Sequence, residues 1–235
     1  MLMALSTSAW TLAELDRLPD DGNTYELLDG ELFVTPVPSP AHEQLASVLQ
    51  AILGPYVRTH RLGHVHTPRA VVRNEGSEVE PDLMVRPATP TLPETWEQMP
   101  TPSLVVEILS RTTRRRDQEQ KRGFYLRIGV AEYWMVDRWS RSIRVVRRDA
   151  PDVVADSVLE WRPDGAPEAL RIDVAAFFDE ALGKLQRRVQ GDVFEQLARQ
   201  TLPLTSGLTT RRKSWTVFHG IIQRVTVGTR LRQTT

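Results

Sequence analysis

The sequence contains no cysteine, and this absence excludes disulfide frameworks, thiolate metal sites and cysteine nucleophiles. Its 5 histidines form no HExxH pattern, so a zinc-protease site of that type is excluded as well. No apolar run approaches the roughly 18 residues that a membrane-spanning helix needs, and the N-terminal residues lack the basic start of a signal peptide. We therefore expect a soluble cytoplasmic protein with no membrane partner.

Charge is unevenly distributed along the chain, although its 30 basic and 30 acidic side chains balance overall. Residues 183–235 carry 10 basic and 2 acidic side chains, so the excess of acid lies in residues 1–182. This split predicts a folded domain over 1–182 and a basic C-terminal extension over 183–235. The extension has no clear periodicity, which is compatible with poor order. It either anchors the domain to DNA or a protein partner, or is an untethered addition.

Helix and strand patterns alternate through residues 1–182. A capping box at 11–14 predicts a short helix, and Asp29-Gly30 between two apolar runs predicts a β-hairpin. Ser39-Pro40 predicts the start of a second helix, which Gly54-Pro55 is expected to end or kink. Further strands are predicted at 63–73, 79–86, 103–110, 132–137, 142–147 and 170–174, with helices at 117–128 and 175–182. The order indicates an α/β fold with a mixed central sheet flanked by helices, preceded by an N-terminal helix and hairpin.

Glu107 is a carboxylate in the middle of an apolar run that is typical of a buried central strand. An unpaired charge in such a strand is costly. Three explanations are open from this residue alone: a position that faces an edge, an ion pair with one of the many arginines, or a raised pKa.

Asp82 provides a second carboxylate at the start of another short predicted strand. If the two strands are neighbours, Asp82 and Glu107 can point into one cleft, where they repel each other by about 4 kcal/mol at an effective dielectric of about 20. Such a pair needs an arginine, a lysine or a divalent cation beside it. Oxygen ligands without nearby cysteine or histidine favour Mg²⁺ or Mn²⁺.

Lys121 is the only lysine in residues 1–182, against 27 arginines and three lysines in the whole chain. It lies on the helix predicted after the Glu107 strand, and its spacing from Asp117 and Tyr125 places the three side chains on one face. A strand–loop–helix unit can fold that face back over the end of the strand. The alternative is a solvated helix surface with an ordinary ion pair.

Six blocks in this order resemble the Uma family of putative restriction endonucleases, which belongs to the PD-(D/E)XK nuclease superfamily. The blocks are YELLDGEL, SPAHEQLASVL, EPDLMV, PSLVVEILS, DQEQKRGFYLRIGVAEYWMVD and ALRIDVAAFF. The resemblance extends over about residues 10–182. It implies a restriction-endonuclease-like core and an endonuclease that hydrolyses DNA phosphodiester bonds with the help of a metal ion.

The resemblance also implies roles for individual residues. Asp82 matches the aspartate of the PD motif, and Glu107 matches its second acid. The usual lysine two residues later is absent because Leu109 stands there, and Lys121 on the next helix is expected to replace it. Glu26, in the YELLDG block, matches a further acidic position and is either an additional metal ligand or a surface residue of the hairpin.

The implied mechanism places Mg²⁺, or Mn²⁺, on Asp82, Glu107 and the backbone carbonyl of Ile108. The cation would lower the pKa of a bound water and polarise the scissile phosphate, while Lys121 would orient that water. The rival interpretation is a catalytically weak or inactive nuclease fold that binds nucleic acid or a regulatory partner. A binder without chemistry should tolerate removal of the metal.

DNA contacts are expected from the arginine-rich segment between the Glu107 strand and the next helix. The candidate phosphate contacts are Arg114, Arg115, Arg116 and Arg122. The alternative is a solvated basic loop that pairs with the excess acid of the domain. Arg111 departs from the proline that the family usually has there, which we expect to alter only a loop. Double-strand cleavage often uses two active sites, so a homodimer is compatible with this function.

His42 lies at the start of the second predicted helix. It could approach the cleft, or it could make only a local hydrogen bond.

Overall fold

The computed structural model describes residues 9–184. From residue 185 onward, the basic extension predicted from the sequence lies outside the described residues. Within residues 9–184, no helix combines the length and the apolar character that crossing a bilayer requires.

The first elements of the described residues are a short helix, a hairpin and a long helix: α1 (Leu12–Leu15), β1 (Thr24–Leu28), β2 (Glu31–Thr35) and α2 (Pro40–Thr59). The next strands are β3 (His64–His66), β4 (Val72–Asn74), β5 (Ser77–Val79), β6 (Leu83–Arg86) and, after a 3₁₀ turn (Trp96–Gln98), β7 (Leu104–Ile108). One helical segment follows, made of α3 (Arg114–Arg116), a π-helical turn (Asp117–Lys121) and α4 (Arg122–Arg127). The last elements are β8 (Glu132–Asp137), β9 (Ser142–Val146), β10 (Val153–Ala155), β11 (Val158–Trp161), β12 (Leu170–Asp173) and α5 (Val174–Leu182).

A six-stranded mixed sheet with the order β10-β9-β8-β7-β6-β3 forms the centre of the fold. Strands β7 and β8 are parallel, and the other pairs in this sheet are antiparallel. A parallel pair needs a long crossover, and the helical segment 114–127 lies within it. The mixed central sheet, flanked by helices, confirms the α/β fold that the order of elements predicted.

Strand β7 is buried along its whole length because both faces of the sheet are covered. On one face, Val106 packs in a core with residues of α2 and α5. On the other face, Val105 packs with Phe124 and Tyr125 of α4. The nearly continuous apolar sequence of β7 follows from this double coverage.

A second, four-stranded antiparallel sheet with the order β2-β1-β5-β4 contains the predicted hairpin. The hairpin turn has positive φ angles at Asp29 (51°) and Gly30 (82°), as a type I′ turn requires. Strands β11 and β12 form a separate two-stranded sheet.

Of the two outcomes expected at Gly54-Pro55, an end or a kink of the second helix, the end is wrong, because α2 continues to Thr59. Pro55 removes one backbone hydrogen bond. However, Tyr56 and Val57 just beyond it are buried in the core. The Tyr56 hydroxyl also donates to the Glu168 carbonyl at 2.6 Å. Tertiary packing therefore outweighs the local cost of the proline.

Candidate active site

A cavity of about 670 Å³ opens where the hairpin, the start of α2 and the ends of β6 and β7 converge. Strands β6 and β7 pair antiparallel with Leu83 opposite Val106. One residue further along this register, Asp82 comes beside Glu107, and both line the cavity. The expectation that the strands associated with Asp82 and Glu107 are neighbours is therefore confirmed.

Asp82 is held by one of its two carboxylate oxygens. Its Oδ2 accepts a hydrogen bond from the Ile108 amide at 2.6 Å and lies 3.1 Å from Nε2 of His42. His42 is in the first turn of α2, which begins at Ser39 as N-cap with Pro40 at its first position. His42 therefore reaches the cleft, and its ring and the β7 backbone fix the Asp82 side chain from two directions.

Glu107 is buried, with 4% of its surface exposed. Its Oε1 accepts hydrogen bonds from Nζ of Lys121 at 2.7 Å and from the Tyr125 hydroxyl at 2.8 Å. Burial raises the pKa of Glu107 well above its ordinary value, and the Lys121 ammonium opposes that rise. Of the three explanations for this carboxylate, the edge-facing position is wrong, because Glu107 is buried. The ion pair exists, but its partner is Lys121 and not an arginine, and burial raises the pKa as the third explanation expected.

Lys121 reaches Glu107 from the π-helical turn of the helix after β7. Asp117, Lys121 and Tyr125 are all buried, so the predicted shared face exists and the solvated-surface alternative is wrong. Burial lowers the pKa of Lys121, but Glu107 and Glu26 outweigh it and raise the pKa above its ordinary value. The two neighbouring carboxylates therefore favour the ammonium form of this side chain.

Glu26 is the second counter-ion of Lys121. Its Oε1 lies 2.7 Å from Nζ of Lys121 and accepts from the Glu80 amide at 2.9 Å, while its Oε2 lies 3.0 Å from Arg116. The residue is 1% exposed, so the alternative of a hairpin surface residue is wrong. Because both oxygens contact other described residues, Glu26 is arranged to hold Lys121 and Arg116 in place.

The remaining oxygens of the two central acids fit a hard cation. No residue of the described chain donates a hydrogen bond to Oδ1 of Asp82 or Oε2 of Glu107, and neither atom is fully buried. Across residues 9–184, no cluster of three or more histidine, cysteine or acidic side chains is arranged to hold a metal ion. Two carboxylates and a carbonyl suit Mg²⁺, which keeps several waters and binds through few protein ligands.

The four arginines predicted to contact phosphate have different surroundings. Arg116 lines the cavity, whereas the other three do not. Each of those three has a carboxylate partner in the structure, and the pairs are Arg114–Asp137 (2.8 Å), Arg115–Glu119 (3.1 Å) and Arg122–Asp152 (3.0 Å).

Residues 12–175 match the family model Uma2, which is described as "Putative restriction endonuclease". The chain belongs to this family. A crystal structure of a putative nuclease belonging to DUF820, from Anabaena variabilis, matches this chain with a TM-score of 0.61. The two chains are 20% identical, and the match covers 74% of this chain and 99% of that one. At this identity the likeness shows the fold. No curated protein matches the chain.

The Uma2 family and the shared fold together support a nuclease, a hydrolase whose substrate is nucleic acid. The sequence analysis missed two residues of this Uma2 domain, Arg138 in the wall of the cavity and Trp139 beside it. They lie in the turn between β8 and β9. The available signal was a tryptophan flanked by arginines in a predicted turn, Arg-Trp-Ser-Arg.

Proposed function

We propose that the protein is a Mg²⁺-dependent endonuclease, also active with Mn²⁺, that hydrolyses phosphodiester bonds in DNA. One observation carries the proposal. Lys121, from the helix after β7, lies 2.7 Å from Glu107, while Asp82 accepts a hydrogen bond from the next amide of the same strand, that of Ile108. Two acids and a charged lysine thus converge in one cavity, an arrangement that suits metal-assisted hydrolysis of a phosphodiester.

Asp82, Glu107 and the carbonyl of Ile108 would hold the cation. When bound, Mg²⁺ supplies a water of lowered pKa and stabilises the charge that develops on the phosphate. The hydrogen bonds to Oδ2 of Asp82 and Oε1 of Glu107 fix each carboxylate, so that its second oxygen keeps a defined position. Such fixed ligands reduce the reorganisation needed as the reaction proceeds.

Lys121 acts as a hydrogen-bond donor and a positive charge. Its pKa, raised by Glu107 and Glu26 against the effect of burial, makes it unsuitable as a general base. It would orient the attacking water and share the negative charge of the transition state. Glu26 is a positioning residue that keeps the ammonium beside Glu107.

Of the four arginines predicted to contact phosphate, Arg116 is the one that the cavity supports, because its guanidinium lies in the wall beside Glu26. A DNA phosphate could share this guanidinium with Glu26. We further propose that the protein acts in the cytoplasm. We also propose that two copies of the protein form a homodimer when both strands of a DNA duplex are cut.

The test is nicking of supercoiled plasmid by the wild type, Asp82→Asn and Glu107→Gln, with Mg²⁺, Mn²⁺ or EDTA. Asp152→Asn is the matched control, because Asp152 is an ion-paired acid outside the cavity. We expect nicking by the wild type and the control, loss on adding EDTA, and about a hundred-fold or greater loss in both site variants. DNA binding without cleavage, unchanged by EDTA, would favour the binding-module interpretation instead.

A further inference from the structure

Trp139 is an exposed aromatic residue in the turn between β8 and β9, with 39% of its surface accessible. The turn is closed by hydrogen bonds within itself, because the Trp139 amide donates to Oδ1 of Asp137 at 2.9 Å. Arg141 ends the turn with a positive φ of 48°. The indole is therefore presented to solvent by a defined turn next to the cavity wall.

Three guanidinium groups lie over the ring of this indole. Arg138 lies 4.5 Å from the ring centroid, Arg114 lies 5.1 Å away and Arg111 lies 6.0 Å away. Arg111 and Arg138 also line the cavity that contains Asp82 and Glu107. Arg111 and Arg138 thus contact the aromatic ring and also line the cavity that holds the candidate catalytic acids.

The charge of this cluster is incompletely balanced. Arg114 pairs with Asp137 at 2.8 Å. In the part of the chain that the structure describes, no carboxylate oxygen lies within 4.0 Å of Arg111 or Arg138. Two unbalanced cations beside an exposed π surface suit a ligand that is both anionic and aromatic.

We propose that Trp139, Arg111 and Arg138 form a binding site for an unpaired nucleotide of single-stranded DNA that enters the cavity. This inference rests on the proposed nuclease function. An unpaired base can stack on the indole by taking the place of a guanidinium that lies over the ring, and its flanking phosphates can contact Arg111 and Arg138. In duplex DNA the faces of each base are covered by the neighbouring bases, so few base faces are free to stack on the indole. The site therefore favours single-stranded over duplex DNA.

The experiment measures dissociation constants by fluorescence anisotropy, with Ca²⁺ in place of Mg²⁺ to suppress cleavage. The probes are a labelled oligothymidylate and the same strand annealed to oligodeoxyadenylate. The variants are Trp139→Ala, Trp139→Phe and Trp10→Ala, the last a matched control because Trp10 is 40% exposed and lies outside the cavity. Circular dichroism establishes that each variant is folded.

We expect Trp139→Ala to weaken single-strand binding by about 5- to 150-fold, since each stacked base contributes about 1–3 kcal/mol. Trp139→Phe should retain most of the affinity, Trp10→Ala should match the wild type, and duplex affinity should change by less than about twofold. In Arg111→Ala and Arg138→Ala, the slope of log affinity against log salt should fall by about 0.7 for each lost phosphate contact.

The inference is overturned if the wild type does not bind the single strand, if Trp139→Ala binds it as the wild type does, or if single-strand and duplex affinity fall equally. These outcomes are separable from failure of the nuclease proposal. Plasmid nicking that needs Asp82 and Glu107, together with unchanged binding by Trp139→Ala, would contradict the nucleotide-binding site and would support the proposed nuclease. Tryptophan-dependent single-strand binding without any metal-dependent cleavage would contradict the proposed enzyme activity and would support the nucleotide-binding site.

Discussion

The Lys121 ammonium contacts two buried carboxylates, since its Nζ lies 2.7 Å from both Glu107 and Glu26. Lys121→Met would leave both acids without this partner, and breaking a buried pair costs about 3–5 kcal/mol. We expect a loss of that size in the free energy of unfolding, measured by urea denaturation at pH 7. Lys184→Met is the control, because Lys184 is exposed. Equal stability of Lys121→Met and the wild type would contradict the role of this ammonium.

His42 positions the Asp82 carboxylate through the 3.1 Å contact of its Nε2. Changing a residue that orients a metal ligand typically lowers metal affinity about 10- to 100-fold. We expect His42→Ala to raise the Mg²⁺ concentration for half-maximal cleavage by about tenfold or more. His42→Gln should restore part of the affinity because its amide can donate near the same place.

The control for His42 is His60→Gln at the other end of α2. His60 has nearly the same side-chain exposure, 17% against 16%, and lies 3.9 Å from Glu168, away from the cavity. An equal shift in the Mg²⁺ requirement of the two histidine variants would argue against a specific role for His42.

The central residues of the site could be predicted from the sequence because each breaks a local pattern. Glu107 interrupts an apolar strand, and Lys121 is the single lysine among many arginines of the domain. Their partners could not be predicted in the same way. The contact between Glu26 and Lys121 depends on how the hairpin sheet packs against a helix that is distant in the chain. The orientation of His42 toward Asp82 likewise depends on tertiary structure.

At the level of elements, the entry into β3 depends on Gly63, whose φ is 130°. A Cβ atom at this position would overlap the backbone carbonyl of Arg86 at the end of β6. We expect Gly63→Ala to destabilise the fold by about 2 kcal/mol or more, measured by thermal or urea unfolding. Gly54→Ala is the contrasting variant, since Gly54 lies in α2 with open space around it and should gain up to about 1 kcal/mol. Equal stability of the two variants would contradict this packing.

Local patterns predicted the hairpin, β7, β8, β9 and α5, in which apolar periodicity or turn chemistry agrees with the final packing. Local patterns did not predict the elements whose bounds depend on tertiary packing. The predicted strand 63–73 is divided between two sheets, with a turn at Arg69, whose φ is 70°. The strands β10 and β11 are only three and four residues long, which is too short for a reliable apolar pattern. The π-helical turn at Asp117–Lys121 has no signature in helical periodicity.

For the whole molecule, a cation on Asp82 and Glu107 should stabilise the folded state, because it binds the native arrangement and not the unfolded chain. At a Mg²⁺ concentration 100 times the dissociation constant, the expected gain is about 2.7 kcal/mol. Differential scanning fluorimetry should therefore show a higher melting temperature for the wild type with Mg²⁺. The shift should disappear in Asp82→Asn and persist in Asp152→Asn. A shift of the same size in all three proteins would indicate metal binding elsewhere.

The most direct test of the proposed enzyme is the plasmid-nicking rate of Glu107→Gln relative to the wild type, at equal Mg²⁺ and with both proteins shown to be folded. Glutamine keeps the size of the side chain and can still accept from Lys121 and Tyr125, but it removes the charge that would hold the cation. We predict metal-dependent nicking by the wild type and a rate lower by about a hundred-fold or more in the variant. Nicking by the folded variant at the wild-type rate would contradict the assignment of Glu107 and, with it, the proposed metal site.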